Sequence, residues 1–161
     1  GHLGADLWDL IWDTGQTFNI TAGCPNLIER IEGGLFSYGN EMTRENNPLE
    51  MGLSKFCSLD GSINYIGRKA LEKIASDGVA RKIRGIIFDG MPCPTCSIPW
   101  PVMVGQQQVG QITSGIWSPR LKANVGQTLI ERGFWEFGQE VVVVTADGQH
   151  RQGKIVKMPM S

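Results

Sequence analysis

Apolar and polar positions alternate with a helical period in two stretches of the first half of the chain. Residues 3–14 are typical of an amphipathic helix, with apolar positions at Leu3, Leu7, Leu10 and Ile11 and with Trp8 and Trp12 beside them. Gly15 is predicted to end this helix by adopting the left-handed conformation. Residues 68–76 form a second such pattern, which Asp77-Gly78 ends.

The residues between these helices give weaker patterns. We predict short strands over residues 17–21 and 55–59 from their apolar and β-branched content. Residues 26–33 are ambiguous, although their apolar spacing suits a helix, and residues 35–38 are predicted to be extended. Residues 43–48 are polar and turn-like.

After residue 80 the pattern becomes that of an antiparallel β structure. Strands are predicted over residues 82–88, 102–104, 109–113, 122–130, 140–145 and 149–157. Asp147-Gly148 predicts a two-residue hairpin, because both positions of that turn need positive backbone angles. The predicted fold class is therefore α+β. Residues 1–80 would be the end of a mixed α+β domain, and residues 81–161 a small antiparallel barrel or jelly-roll-like domain.

Composition restricts the classes of function. The 161 residues are 41% apolar and 19% charged, with a net charge of -1, which is typical of a globular protein. No basic cluster indicates nucleic acid, and no apolar run reaches the ~18 residues that span a membrane. Four cysteines and no signal-peptide pattern favour the cytoplasm. A helix that opens the chain predicts further sequence before Gly1.

Two clusters have both a chemical and a structural interpretation. Cys93 and Cys96 form a lone CxxC in a proline-rich loop, without the second ligand pair that a structural zinc needs. We interpret them as loop residues that bind no metal, with half a metal site and a redox pair as alternatives. Asp6, Asp9 and Asp13 are interpreted as a solvated helix face rather than as acid–base catalysts.

Arg30 and Trp117 are candidate binding residues. Arg30 lies among apolar residues beside Glu29 and Glu32, so it could anchor a ligand or form a structural ion pair. Trp117 could stack on a flat ligand ring or pack in a core. Both alternatives stay open at this point.

Five short phrases in a fixed order resemble the glycine-cleavage T-protein family over nearly the whole chain. They correspond to the family patterns RLExG, YGxE, PLExGL, FIGREAL and TSGxxSPxL, and they begin at Arg30, Tyr38, Pro48, Tyr65 and Thr113. The family is one of folate-dependent one-carbon transferases. The resemblance implies a three-domain enzyme that holds tetrahydrofolate in a central channel, with its catalytic residues upstream of this chain.

The resemblance also implies where the cofactor would be contacted. Asn26, Arg30, Tyr38 and Trp117 are expected to bind tetrahydrofolate, whereas no catalytic residue and no metal ligand are expected within this chain. Partners would be the folate, a small-molecule methyl donor and the missing N-terminal part of the same protein.

One departure from the family pattern suggests the methyl donor. Asn26 stands where T-proteins have an arginine, and a neutral amide cannot replace a fixed cation. The surrounding phrase GCPNLIERIE is closest to the dimethylsulfoniopropionate (DMSP) demethylase branch. Alternatives are a glycine-cleavage aminomethyltransferase, a sarcosine- or dimethylglycine-type folate domain, and a non-catalytic folate-fold binding or assembly module. The isolated chain is expected to be inactive.

Overall fold

Six antiparallel strands close into a barrel in the second half of the chain. The computed structural model describes residues 1–21, 23 and 26–160. The strands are β1 (Arg81–Phe88), β2 (Trp100–Val104), β3 (Gln107–Ser118), β4 (Ala123–Glu131), β5 (Glu140–Val144) and β6 (His150–Val156). Their order around the barrel is β1-β4-β3-β2-β5-β6. The predicted α+β fold with an antiparallel barrel is confirmed, while the domain boundary near residue 80 stays a prediction.

The barrel interior is filled by apolar side chains from all six strands. Because alternate residues of a strand point to opposite faces, each strand contributes every second residue to this core. Phe88 and Trp100 meet edge to face with ring centroids 6.1 Å apart. The other core members include Ile86, Val102, Val109, Ile112, Ile130, Val141, Val143 and Ile155. The interior is therefore a packed core, so any ligand has to bind on the outer surface or at the barrel ends.

Among the described residues, three α-helices precede the barrel: α1 (Gly4–Gly15), α2 (Leu27–Gly33) and α3 (Arg68–Asp77). The predictions of helices over residues 3–14 and 68–76 are confirmed. No helix among the described residues is long and apolar enough to cross a membrane.

The role of Gly15 differs from the prediction. Gly15 has a φ of -78°, in the right-handed helical region, and Asn19 takes the left-handed conformation with a φ of 54°. A Cβ on Gly15 would lie 2.1 Å from Ile20 Cδ1. Glycine is therefore needed at this position for the close approach of Ile20 rather than for its backbone angles.

The two short strands predicted in the first half are wrong. Residues 17 and 18 instead belong to a 3₁₀ turn at Gln16–Phe18, and residues 55 and 56 belong to another at Ser54–Phe56. The remaining residues of both predicted strands follow these turns without forming a strand. Asn19 N donates to Gln16 O, and Cys57 N donates to Ser54 O. Local bonds thus satisfy backbone groups that a strand would have to pair with a neighbouring strand.

The ambiguous stretch over residues 26–33 forms α2 because both of its ends are capped. Asn26 Oδ1 accepts from Glu29 N at 3.0 Å, and the Glu29 carboxylate accepts from Asn26 N, which is a capping box. Gly34 ends the helix with a φ of 72°. The buried Ile31 packs on Val125, which fixes α2 against the outer face of β3 and β4.

A buried carboxylate fastens the end of α2 to the barrel. Ser118 Oγ donates to one oxygen of Glu32, and Arg120 Nε donates to the other at 2.6 Å. Met160 N donates to the Glu32 backbone carbonyl at 2.7 Å. Since a buried carboxylate is stable only when it is paired, these contacts hold α2, the β3–β4 turn and the C-terminal segment together.

The turn at Asp147-Gly148 is present but is longer than predicted. Thr145 N donates to Gln149 O at 3.1 Å and Gly148 N donates to Thr145 O at 2.8 Å, which leaves a three-residue loop over residues 146–148. Only Gly148 has a positive φ, of 76°. Asp147 instead accepts from Thr145 Oγ1 at 2.6 Å, and this bond favours the longer loop.

We predict that Glu32→Gln lowers the free energy of unfolding by about 1–3 kcal/mol, because the amide cannot replace a carboxylate that accepts from a cation and a hydroxyl. Urea unfolding followed by circular dichroism measures the change. Glu72→Gln is the matched control, since Glu72 pairs with Arg68 on the partly exposed surface of α3, and it should cost less than about 1 kcal/mol. Equal losses in the two variants would contradict the proposed role of Glu32.

We predict that Gly148→Ala costs about 1–2 kcal/mol, because an alanine in the left-handed region brings its Cβ close to the following carbonyl. The space around Gly148 is open, so the cost is one of backbone conformation alone. Gly4→Ala is the control, because Gly4 also has open space but no positive φ. Thermal unfolding of both variants tests this, and an unchanged midpoint for Gly148→Ala would refute it.

Candidate functional site

The candidate site is built around the segment that follows α2 and rests on the barrel. Gln127 lies on β4 beneath it, fully buried, and its Nε2 points at the backbone carbonyls of Arg30, Ile31 and Leu35. Arg30 and Ile31 belong to the last turn of α2, where backbone carbonyls lack donors from a following turn, and Leu35 comes just after the helix. The side-chain amide of Gln127 therefore helps to fix where the chain lies on the barrel as it leaves α2.

Arg30 links α2 to the next turn and to the barrel. Its Nη1 donates to Glu41 Oε2 at 3.0 Å and to Leu35 O at 3.1 Å, and its Nη2 donates to Ser114 Oγ at 2.8 Å. The side chain is 17% exposed. These contacts support the structural ion pair, one of the two interpretations left open by the sequence. A direct contact of Arg30 with a cofactor stays a prediction.

Glu41 is a site residue that sequence reasoning missed. Its side chain is 0% exposed, and Oε2 accepts from Arg30 Nη1 and from Ser37 N. Its other oxygen, Oε1, is buried and accepts no hydrogen bond from the described residues. The signal was present, because Glu41 ends the YGxE phrase, but a carboxylate in a turn gave no reason to expect burial.

The ion pair shapes the turn that carries Tyr38. Gly39 N donates to Met42 O at 2.7 Å, and Tyr38 and Met42 form an isolated bridge. With Ser37 and Glu41 fixed below, the ring of Tyr38 points outward and is 71% exposed. The turn therefore presents a flat aromatic surface to solvent on a base held by buried charges.

A polar groove of about 540 Å³ runs between this turn and the barrel. Amide, hydroxyl and carboxylate side chains line it, including Asn40, Thr43, Glu45, Gln108, Gln111 and Glu131. Arg81 is its single basic residue among those described. The groove can therefore accept a ligand with several hydrogen-bond donors.

Trp117 lies apart from the Arg30 and Tyr38 cluster. It is half-buried near the end of β3 and lines a second depression, of about 660 Å³. Lys122, Lys154, Asp89 and Glu140 surround this depression. The depression therefore offers an aromatic face for stacking together with side chains of both charges.

Asn26 is exposed at the start of α2, where its side-chain oxygen accepts the capping hydrogen bond from Glu29 N.

The loop that carries the two cysteines is mostly exposed, but its Cys93 side chain turns inward against the barrel. Cys93 is buried, and its N–H donates to Asn124 Oδ1 at 2.9 Å, while Cys96 Sγ donates to Ile98 O at 3.0 Å. Burial raises the pKa of the Cys93 thiol and raises that of Cys96 to about 11. Cys24 lies outside the described residues. Within the described part of the chain no group of three or more His, Cys, Asp or Glu side chains could hold a metal.

Comparisons with known proteins give matches in both halves of the chain. Residues 81–161 match the family described as the glycine cleavage T-protein C-terminal barrel domain, and residues 2–61 match the GCVT N-terminal domain. The chain is 45% identical over 147 residues to the dimethylsulfoniopropionate demethylase DmdA of Ruegeria pomeroyi, covering 91% of this chain and 40% of that protein. It is 39% identical over 132 residues to an aminomethyltransferase of Bacillus pumilus, covering 81% and 35%.

A solved structure supports the fold. The glycine cleavage system aminomethyltransferase T of Bartonella henselae aligns with a TM-score of 0.71 at 20% identity, over 81% of this chain and 36% of that one. The chain thus spans about two fifths of the length of the curated relatives it matches. The resemblance drawn from the five phrases is confirmed, and the chain belongs to the glycine cleavage T-protein family.

Proposed function

We propose that this chain is the C-terminal portion of a tetrahydrofolate-dependent methyltransferase of the cytoplasm that takes its methyl group from DMSP. The observation that carries the proposal is the identity of 45% to a DMSP demethylase, against 33–39% to aminomethyltransferases. Residues 1–80 would complete the central folate-binding domain and residues 81–161 would form the terminal barrel domain.

The residues present suit a folate. A folate has a flat pterin, an aminobenzoyl ring and a glutamate tail with carboxylates. The exposed ring of Tyr38 and the half-buried ring of Trp117 can stack on flat rings. The buried oxygen of Glu41 without a donor is an acceptor on the same turn as Tyr38, and Lys122 and Lys154 can pair with carboxylates.

The role of this chain in the reaction is to position the folate and to place charged groups near it. Tetrahydrofolate, when bound, supplies the nitrogen N5 that accepts the methyl group. The methyl on a sulfonium is already activated, so orientation and electrostatics carry the catalysis. Glu41 accepts from the backbone N–H of Ser37, next to Tyr38, and Arg30 holds Glu41. The Arg30 and Glu41 pair thus positions the backbone of the turn that carries Tyr38.

A glycine-cleavage aminomethyltransferase is the second candidate, because several such proteins match at 33–39% identity. Asn26 favours the demethylase. It replaces the arginine of the T-protein pattern and serves as the cap of α2, a position where arginine offers no acceptor oxygen. The demethylase and the aminomethyltransferase candidates therefore differ at position 26, where Asn26 caps α2.

We predict that the full-length protein, expressed from the coding sequence that includes the upstream part, forms 5-methyltetrahydrofolate from DMSP and tetrahydrofolate. The 161-residue chain alone should show no turnover, because the catalytic residues are expected upstream. Chromatographic detection of the methylated folate measures both. Activity only with an aminomethyl-lipoyl protein would reject the demethylase and retain the family.

We predict that Asn26→Asp separates the cap from the ligand contact. Aspartate also caps a helix, so the unfolding midpoint should hold. In the full-length protein, a negative charge at this predicted contact would repel the carboxylates of the folate, so the KM for tetrahydrofolate should rise while kcat stays close to the parent value. Asn26→Ala is the comparison, and it should lose about 1 kcal/mol of stability. An unchanged KM in Asn26→Asp would mean that Asn26 is a cap and nothing more.

We predict that Cys96 reacts slowly with iodoacetamide at pH 8. The thiolate is the reactive form, and a pKa of about 11 leaves little of it. Alkylation should be at least about tenfold slower than that of glutathione, even though a more basic thiolate is more nucleophilic. Peptide mass spectrometry gives the rate, and denatured protein is the control. Rapid labelling of the folded chain would revive the redox alternative for the CxxC.

A further inference from the structure

Exposed apolar side chains are concentrated in the part of the chain before the barrel. Leu7, Trp8, Leu10, Ile11 and Trp12 of α1 are all 39–64% exposed. Loops between the barrel strands contribute Met91, Ile98 and Phe137 to the exposed large apolar residues, whereas the others among the described residues all precede residue 67. An apolar area of this kind on a globular protein marks a surface that another element covers.

The exposed side chains of α1 form one defined surface. Leu7, Leu10 and Ile11 lie three and four residues apart and therefore share a helix face. Trp8 and Trp12 flank them, with parallel rings whose centroids are 6.4 Å apart. These two rings line a cleft of about 120 Å³ with Ile11, Ile20 and Thr21. We call the five α1 residues Leu7, Trp8, Leu10, Ile11 and Trp12 the α1 apolar face.

The charges on α1 disfavour a membrane surface. The helix carries Asp6, Asp9 and Asp13 and has no lysine or arginine. Helices that lie on membranes usually carry basic residues that attract anionic lipids, and three aspartates would be repelled by them. A protein surface is therefore the occupant that fits.

The size of the face favours a segment of the same polypeptide over a second copy. A helix of 12 residues is about 18 Å long, and a face of that length is small beside the ~800 Å² per partner of a stable interface. Separate molecules also lose translational and rotational freedom when they associate. A tethered segment does not bear that cost, and the matched relatives are more than twice as long as this chain.

We propose that the α1 apolar face is the docking surface for the upstream part of the same protein, which would cover Trp8 and Trp12. The inference rests on the proposed function to the extent that both require this chain to be part of a longer family member. It goes beyond it by assigning the contact to one helix face and by making Trp8 and Trp12 the centre of the contact.

The test uses the 161-residue chain and a chimera in which this chain replaces the matching part of the Ruegeria pomeroyi demethylase. Hydroxyl-radical footprinting with mass spectrometry reports oxidation at each residue. Oxidation of Trp8 and Trp12 should be at least about threefold slower in the chimera, because an interface core excludes water. Met91 on the barrel is the reference and should react equally in both. Equal rates at Trp8 and Trp12, or an equal slowing at Met91, would overturn the proposal.

Two substitutions give a second measurement. Leu7→Asp with Ile11→Asp should leave the unfolding midpoint of the 161-residue chain unchanged, because the α1 apolar face is exposed there. In the chimera the same pair should lower the midpoint by several degrees, and Met91→Asp is the matched control that should not. A pair that destabilises both proteins alike would overturn the proposal, as would a parental chimera that fails to fold.

Self-association is the competing outcome. Light scattering of the 161-residue chain should show a monomer at micromolar concentration. A dimer whose Trp8 and Trp12 become protected as concentration rises would assign the face to a second copy and refute the docking of an upstream segment. Methyl transfer is scored separately, so a chimera that protects the tryptophans without turning over DMSP retains the docking surface and rejects the proposed function.

Discussion

The arrangement of α2 and the following turn depends on two buried carboxylates and the groups that pair with them. Glu32 accepts from Ser118 and Arg120, and Glu41 accepts from Arg30 and Ser37. A buried carboxylate that loses its partners costs far more than the net stabilisation gained from the pair. The two pairs therefore act mainly on position: they allow one placement of α2 on the barrel and disfavour others. Because Arg30 also contacts Ser114 of β3, the phrases RLExG and TSGxxSPxL, more than eighty residues apart, turn out to be the two halves of one polar junction.

This junction connects the fold to the candidate site. The core of the barrel is apolar and is made of residues from the strands and their loops, with no member from α2. The polar contacts lie instead between the outside of the barrel and the segment that carries Tyr38. The residues of the family phrases and the polar groove are both found there. Such a division lets the barrel serve as a rigid support, while the exposed aromatic ring and the polar groove are set by a few directed hydrogen bonds. Trp117 lies on the same strand as Ser114, but it lines a depression separate from the polar groove. A ligand that contacts the rings of both Tyr38 and Trp117 therefore has to extend over the barrel surface.

The spacing of apolar residues predicted the amphipathic helices and the barrel strands. It failed where contacts with distant residues determine the local structure. The helices at Gly4–Gly15 and Arg68–Asp77 and the strands of the barrel follow directly from apolar spacing. The two short strands before the barrel were wrong, because apolar content cannot show whether a partner strand is near. The role of Gly15 depends on Ile20 packing close to it, which no local pattern contains. For the candidate site, the motifs identified Arg30 and Tyr38, but the burial of Glu41 arises from contacts with Arg30 and Ser37 that only the folded chain brings together.

Closure of the barrel has a consequence for how this protein would aggregate. An open sheet leaves a row of free N–H and C=O groups at each edge, which can recruit strands from other molecules. The described barrel pairs β1 with β4 and β6, and β2 with β3 and β5, so each of its strands has two neighbours. Material that precipitates from the folded state would then associate through exposed apolar side chains, most of which lie in the first 66 residues, and it should dissolve in mild detergent and leave thioflavin dye dark. Cross-β fibrils built from the barrel strands would require the barrel to open, which ties amyloid formation by this half of the chain to the unfolding of the barrel.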